Sequence, residues 1–329
     1  MRWFVIGTGS IGQRHCRNLA ALGQDVLAWD PHEGRRGQAA AIAGVAVSST
    51  CAEALGSRPD AVLICTPPAH HVDLAREALA AGAHVFVEKP IAPGSAEVPA
   101  LIDEAARCGR LLAVGFNLRL LPSLRRVAAL LDDKRVGRVL AVRSEFGGYL
   151  PDWRPGRDYR DNYAVSAALG GGILLDAIHE LDYLGWLFGD AEEVSASAEH
   201  VSDLAGDTED LAEVTVRFAS GVLAQVHLDY LQRAYRRNLQ VIGDSGAILW
   251  DYPTHAVTVH AADGARDVED FRAADGEPND MYLEEMRHFV RCLQGAERPL
   301  VDGREALRSL RLVEAAKRSS RERRWVRLG

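Results

Sequence analysis

The sequence has little of several things that would narrow its function at once. Among 329 residues only five are cysteine, Cys16, Cys51, Cys65, Cys108 and Cys292, and no two of them stand as CxxC. An odd and scattered set excludes a disulfide framework and a cysteine zinc site, and it fits the reducing cytoplasm; no metal is expected. Basic residues do not predominate, with 38 Lys and Arg against 46 Asp and Glu and a net charge of −8. No general attraction to nucleic acid follows from such a balance. The basic run Lys317, Arg318, Arg321, Arg323, Arg324 reads as a solvated helix end. No apolar run reaches the length of about 18 residues that a membrane span needs, and the opening MRWFVIG meets a glycine turn before any signal-like segment. Neither a nucleic-acid nor a membrane partner is expected. Repeats and low-complexity linkers are also missing.

What remains is an ordinary globular composition, 47% hydrophobic and 26% charged, on a chain whose length suits two domains. From residue 1 to about 118, short apolar runs (WFVI, VLAW, AVLIC, HVFV, LLAV) alternate with amphipathic segments such as HHVDLAREALAAG. Continuous apolar strands alternating with helices predict a doubly wound parallel α/β sheet over 1–118. After residue 119 the pattern changes. A helix near 122–131 and a strand at 139–146 lead into a long polar and aromatic connection, GGYLPDWRPGRDYRDNYAVSAALGGG, of a length expected only where a segment is functional or mobile. Strand-like runs then follow one another without helices between them (EVSASAEHV, LAEVTVRF, VLAQVHLDYL, NLQVIG, AILW). They predict an α+β domain over 119–329 with a large, mainly antiparallel sheet, closed by helices near 280–294 and 303–319.

Directly after the first apolar run stands Gly7-Thr8-Gly9-Ser10-Ile11-Gly12, with a helical pattern behind it. In a dinucleotide site the first glycine permits the tight turn and the second lets the backbone approach the pyrophosphate. The third allows close helix packing, while the helix N-terminus stabilises phosphate charge. Asp30 ends the second strand, about 20 residues on, where a ribose-binding acid belongs. Its carboxylate would repel a 2'-phosphate, which favours NAD, although Arg35 and Arg36 keep NADP open.

Thr66-Pro67-Pro68, Glu88-Lys89-Pro90, GFNLR at 115–119 and GGGILLDAIHELDYLGWLFG join the glycine motif in a pattern that resembles the Gfo/Idh/MocA oxidoreductases across nearly the whole chain. The resemblance implies hydride transfer between NAD(P) and a secondary alcohol or ketone of a sugar, sugar derivative or cyclitol. It also implies a homodimer or homotetramer formed through the C-terminal sheet. By the same resemblance Gly7, Gly9, Ser10, Ile11 and Gly12 cradle the pyrophosphate, Asp30 holds the ribose, and Thr66, Pro67 and His71 lie along the cofactor. Glu88 and Asn117 approach the nicotinamide, Lys89 enters the active site, Pro90 follows a cis peptide, and Arg119 joins the substrate site. The same architecture also serves relatives that cleave glycosides through a transient keto-sugar, and a binder that has lost its chemistry would keep the NAD site; retention of Lys89, Asp176 and His179 disfavours the latter.

The physical case for Lys89 stands partly alone, since it follows an apolar strand at the carboxyl edge where doubly wound sheets hold ligands. At 100° per residue, Asp176, His179, Glu180 and Tyr183 share one arc of a helix that begins after the three glycines. Histidine has the reference pKa nearest working pH for taking a hydroxyl proton, so His179 is the expected base, with Asp176 orienting it or binding substrate. The family spaces these two as D-x-x-x-H, whereas this chain has Asp176-Ala-Ile-His179, which leaves Glu180 and Asp182 as alternatives for the acid. The glycines read as a flexible lead into the helix. Trp153, Arg154, Tyr159 and Tyr163, with Arg157 and Arg160, offer aromatic faces and guanidinium forks to an acidic or nucleotide-linked sugar, or else hold a loop or an interface.

Overall fold

The computed structural model describes residues 1–154 and 156–328. The chain divides into two compact units, Met1–Asn117 with Glu277–Leu307, and Leu118–Gly276 with Arg308–Gly329. The segment from 277 to 307 thus groups with the first unit.

In the first unit the strands are β1 (Arg2–Ile6), β2 (Asp25–Trp29), β3 (Val45–Val47), β4 (Ala61–Ile64), β5 (His84–Glu88) and β6 (Leu112–Gly115), all paired in parallel. Their order, β3-β2-β1-β4-β5-β6, reverses direction between β1 and β4. Ligands of doubly wound sheets sit at that switch point, outside the carboxyl ends of the strands. Helices α1 (Ser10–Ala21), α2 (Glu33–Ala40), α3 (Cys51–Gly56), α4 (His71–Ala80) and α5 (Val98–Arg107) connect the strands. Trp3, Val5, Leu63 and Phe86 form the core, and Met286, Phe289 and Cys292 from the returning segment complete it.

The second unit opens with α6 (Pro122–Asp132) and β7 (Val139–Gly147). The long connection that follows is not a free loop. Four short 3-10 turns fill it, and it is tied down by Leu150 N–H donating to the Tyr230 carbonyl (3.0 Å) and Asp207 N–H to the Val165 carbonyl (3.1 Å). Next come α7 (Ile173–Asp176), α8 (Ile178–Phe188), β8 (Ala191–Glu199), β9 (Leu211–Phe218), β10 (Leu223–Asp229), β11 (Arg236–Gly243), β12 (Gly246–Asp251), β13 (Ala256–Ala261), β14 (Arg266–Asp270) and α9 (Arg272–Asp275). After α10 (Asp280–Leu293) of the first unit, α11 (Gly303–Glu322) and β15 (Val326–Arg327) end the chain. The sheet runs β14-β13-β12-β11-β7-β10-β9-β8-β15, and only the β7–β10 pair is parallel. Alternation along β9 (Ala212, Val214, Val216, Phe218 buried) turns one face inward. Helix α8 belongs to that inner side, where the Tyr183 and Ser144 hydroxyls hydrogen-bond at 2.6 Å.

The glycine run departs from the flexible lead expected of it. Gly170, Gly171 and Gly172 are buried. A Cβ on Gly171 would lie 2.4 Å from the Tyr163 carbonyl oxygen. One on Gly172, whose φ is +105°, would lie 2.4 Å from Glu209 Oε1. Close packing and a left-handed backbone demand these glycines. The helix behind them also differs, because Ala177 (φ −93°, ψ 25°) separates α7 from α8. Asp176 and His179 therefore lie on two helical pieces, and the single-helix wheel does not relate them.

Candidate active site

In the first unit the site begins at the glycine turn. Gly7 has φ +89°, and a Cβ there would sit 2.9 Å from the Cys65 carbonyl, so only glycine lets the β1 turn pass the end of β4. A Cβ on Gly12 would lie 1.9 Å from the Gly7 carbonyl oxygen, which fixes α1 hard against the turn. Gly9, the N-cap of α1, has nothing within 4 Å of its Cβ position. Its glycine therefore answers no contact inside the protein, and the first turn of α1 carries no acidic side chain. Such a helix start, with bare backbone N–H groups and no opposing charge, fits the pyrophosphate of a dinucleotide. Ser10 and Ile11 form its first turn. The Thr8 and Thr66 hydroxyls beside the turn are buried with no hydrogen-bond partner among the described residues.

Asp30 is 1% exposed. Its carboxylate accepts the Thr8 N–H (2.8 Å) and the His32 N–H (2.9 Å), so it links the end of β2 to the glycine turn. Arg36 donates to the Asp30 and Pro31 carbonyls, and Arg35 reaches Asp30 Oδ2 at 3.8 Å. Both arginines thus already serve the Asp30 turn.

At the ends of β4 and β5 one buried ring spans two strands. His71 has Nδ1 2.8 Å from the Pro90 carbonyl and Nε2 2.8 Å from the Thr66 carbonyl. Burial pulls its pKa down, and the two carbonyls oppose that by accepting from the protonated ring. Pro67 lies between Thr66 and the short turn Pro68–His70, and the Lys89–Pro90 peptide is cis. Glu88 is buried and meets His15 Nε2 at 2.6 Å. Asn117, also buried, hydrogen-bonds Tyr282.

In the second unit, Asp176 accepts from the Tyr163 hydroxyl (2.8 Å, Oδ1) and the Tyr230 hydroxyl (3.3 Å, Oδ2). The two alternative acids are held by arginines. Arg237 Nε donates to Glu180 at 2.8 Å, with its guanidinium 4.5 Å above the Phe146 ring, and Arg119 grips Asp182. His179 is 9% exposed. Trp153 packs edge-on against Tyr230 (5.4 Å) and Phe146 (5.9 Å), so it sits in the same aromatic group as the Asp176 site. Tyr159 turns elsewhere, its hydroxyl accepting the Ala205 N–H at 3.0 Å, and Arg154 is exposed.

Residues 1–116 match the family model described as "Oxidoreductase family, NAD-binding Rossmann fold", and residues 128–328 match "Oxidoreductase family, C-terminal alpha/beta domain". The chain belongs to the Gfo/Idh/MocA oxidoreductase family. It is 31% identical to the myo-inositol 2-dehydrogenase of Thermotoga maritima, over 100% of this chain and 98% of that protein. It is 26% identical to the 1,5-anhydro-D-fructose reductase of Ensifer adhaerens, over 94% and 93%. Among solved structures, GenD2 from gentamicin A biosynthesis in complex with NAD superposes with a TM-score of 0.87 at 26% identity, covering 100% and 96% of the two chains.

As a Gfo/Idh/MocA oxidoreductase the protein carries an NAD-binding Rossmann domain, and its glycine turn, Asp30 and the Glu88-Lys89-Pro90 turn were legible in sequence as candidates for the coenzyme site. His15, Glu285, Tyr282, Tyr230 and Arg237 were not singled out. A signal existed for some: His15 follows Gly12 by one turn of α1, and Tyr282-x-x-Glu285 presents two groups on one face of α10. Tyr230 and Arg237 are placed by strand register, which the sequence does not display.

Proposed function

We propose that this oxidoreductase is an NAD-dependent dehydrogenase of a secondary alcohol on a sugar, sugar derivative or cyclitol, with Lys89 and His179 handling the hydroxyl proton. The observation that carries most weight is the full-length likeness to a myo-inositol 2-dehydrogenase in a chain that keeps Lys89 directly after β5. Bound NAD supplies the hydride acceptor at its nicotinamide. The remaining work belongs to this chain: Gly7 to Gly12 receive the pyrophosphate, and Asp30 holds the turn that meets the adenosine ribose. Lys89 and His179 bind the reacting hydroxyl and take up its proton as the carbinol carbon loses hydride. Asp176 accepts a further hydroxyl donor from the substrate rather than the reacting proton, a role supported by its two phenol hydrogen bonds.

The arginines of the connection, Arg154 and Arg157, are exposed and suit an acidic sugar. Assembly into a homo-oligomer through the outer face of the nine-stranded sheet and a cytoplasmic setting belong to the same reading; all five cysteines are free, and among the described residues no helix is long and apolar enough to cross a membrane. The test is a panel of cyclitols, aldoses, uronates and anhydrosugars with NAD and NADP, read by nicotinamide absorbance. Glycoside cleavage without net NADH, or NAD binding with no redox change on the whole panel, would overturn the assignment.

A further inference from the structure

His15, Glu88 and Glu285 bring their polar atoms within 4.8 Å of one another, and all three are buried. His15 is 0% and Glu285 4% exposed, and Glu285 Oε2 has no hydrogen-bond partner among the described residues. His15 Nε2 and Glu88 Oε1 stand 2.6 Å apart, a short hydrogen bond. Ligand atoms around a zinc ion each stand about 2.0–2.2 Å from the metal and so lie roughly 3 Å or more apart. The His15–Glu88 pair is too close to admit an ion between them, and protons are what this cluster can hold.

Charge decides where those protons sit. Two ionised carboxylates beside one imidazolium would leave a net negative charge in a buried site, at high desolvation cost. Tyr282 and Cys65 are pushed toward their neutral forms by burial and by Glu88, Cys16 likewise by burial, and Arg14 lies over the Tyr282 ring at 4.4 Å. Burial first, and then the charge of Glu88, drive the Glu285 carboxyl well above its ordinary range.

Glu88 immediately precedes Lys89, and the Pro90 carbonyl that follows is held by His71. We propose that His15 is a positioning residue that fixes Lys89 by anchoring the Glu88 carboxyl group, with Glu285 packed beside the pair. This rests on the reading of Lys89 as the proton-handling lysine.

The test compares full-length His15→Leu, His15→Gln, Glu285→Gln and Lys89→Ala with the wild type, using NAD and the best substrate of the panel. His15→Leu is expected to lower kcat by about tenfold or more, to change KM and NAD affinity by less than about threefold, and to shift the pH profile of kcat. His15→Gln, whose amide nitrogen can reach the place of Nε2, is expected to restore most of the rate. Glu285→Gln mimics a neutral acid, so its melting temperature at pH 7 is expected to match or exceed that of the wild type, with a flatter decline as pH rises above the unfolded carboxyl value of about 4.5.

Normal kcat in His15→Leu alongside an inactive Lys89→Ala overturns the inference alone, whereas normal kcat in Lys89→Ala overturns the reading beneath it. A Glu285→Gln protein that melts well below the wild type at pH 7 shows an ionised Glu285 and overturns the neutral-acid assignment. So does a rise in wild-type melting temperature with Zn²⁺ that Glu285→Gln abolishes.

Discussion

Arg119 donates two parallel hydrogen bonds to Asp182, Nε to Oδ2 at 2.9 Å and Nη2 to Oδ1 at 2.8 Å, and both side chains are buried. The Ser309 hydroxyl adds a third, to Oδ1 at 2.9 Å. A fork already closed on a carboxylate stabilises the second unit before any substrate arrives. Removing one partner strands a buried charge, so Arg119→Met is expected to cost about 3–5 kcal/mol in urea denaturation. An unchanged denaturation midpoint with a raised KM would instead place Arg119 at the substrate.

Lys89→Ala and His179→Ala are each expected to lower kcat by about 10²–10⁴ while leaving NAD affinity, measured by fluorescence titration, nearly unchanged. If the two residues act on one proton, the double variant loses little more than the worse single one. Full additivity would show that they serve separate steps.

Asp30 accepts hydrogen bonds from two backbone N–H groups, those of Thr8 and His32. Asp30→Ala is expected to destabilise the protein by about 1–3 kcal/mol in chemical denaturation. It is also expected to raise the preference for NADP over NAD, because the charge that repels a 2'-phosphate is gone. A stable variant with an unaltered coenzyme ratio would remove Asp30 from both roles.

Two glycines separate packing from binding. Gly172→Ala meets both a positive φ and the Glu209 carboxylate, and its melting temperature should fall by the equivalent of about 1–3 kcal/mol or more. Gly9→Ala meets nothing in the protein and has φ −66°, so its melting temperature should hold while NAD binding weakens. Equal behaviour of the two variants would contradict the assignment of Gly9 to the pyrophosphate.

On the sheet, His227 lies between Asp229 (2.8 Å) and Glu213 (2.6 Å), and the Asp229 carboxylate leads in raising its pKa to about 9. A histidine raised in the folded state contributes stability that is fully present below its unfolded pKa of about 6.5 and is lost as pH rises through about 9. His227→Gln should therefore flatten the decline in melting temperature between those values. A decline of wild-type size in the variant would assign it to other groups.

How much could be read in advance depended on the length and burial of each element. The parallel strands β1, β4 and β5 show as unbroken apolar runs bounded by turns, and with the glycine motif they disclosed the coenzyme fold. β3 has only Val45, Ala46 and Val47, too few to show a period. β14 reads RDVED, a charged edge strand without an apolar face. The break at Ala177 was hidden because apolar residues continue through both helical pieces. The cluster around Glu88 joins His15, 73 residues away, to Glu285 on α10. The local spacings around His15 and Glu285 hint at a helix face, but only folding brings such distant residues together.

The returning segment also sets an order of events during synthesis. The Phe289 ring lies 5.8 Å from Trp3 and 5.3 Å from Phe86, inside the core of the first unit. On the ribosome, Phe289 emerges only after every strand from β7 to β14 has been made. The amino-terminal half must wait, with Trp3 and Phe86 short of a partner, until nearly the whole chain has left the exit tunnel. A fragment ending at residue 117 would lack Phe289, Met286 and Cys292 and leave that part of its core uncovered, an apolar surface of the kind that invites aggregation.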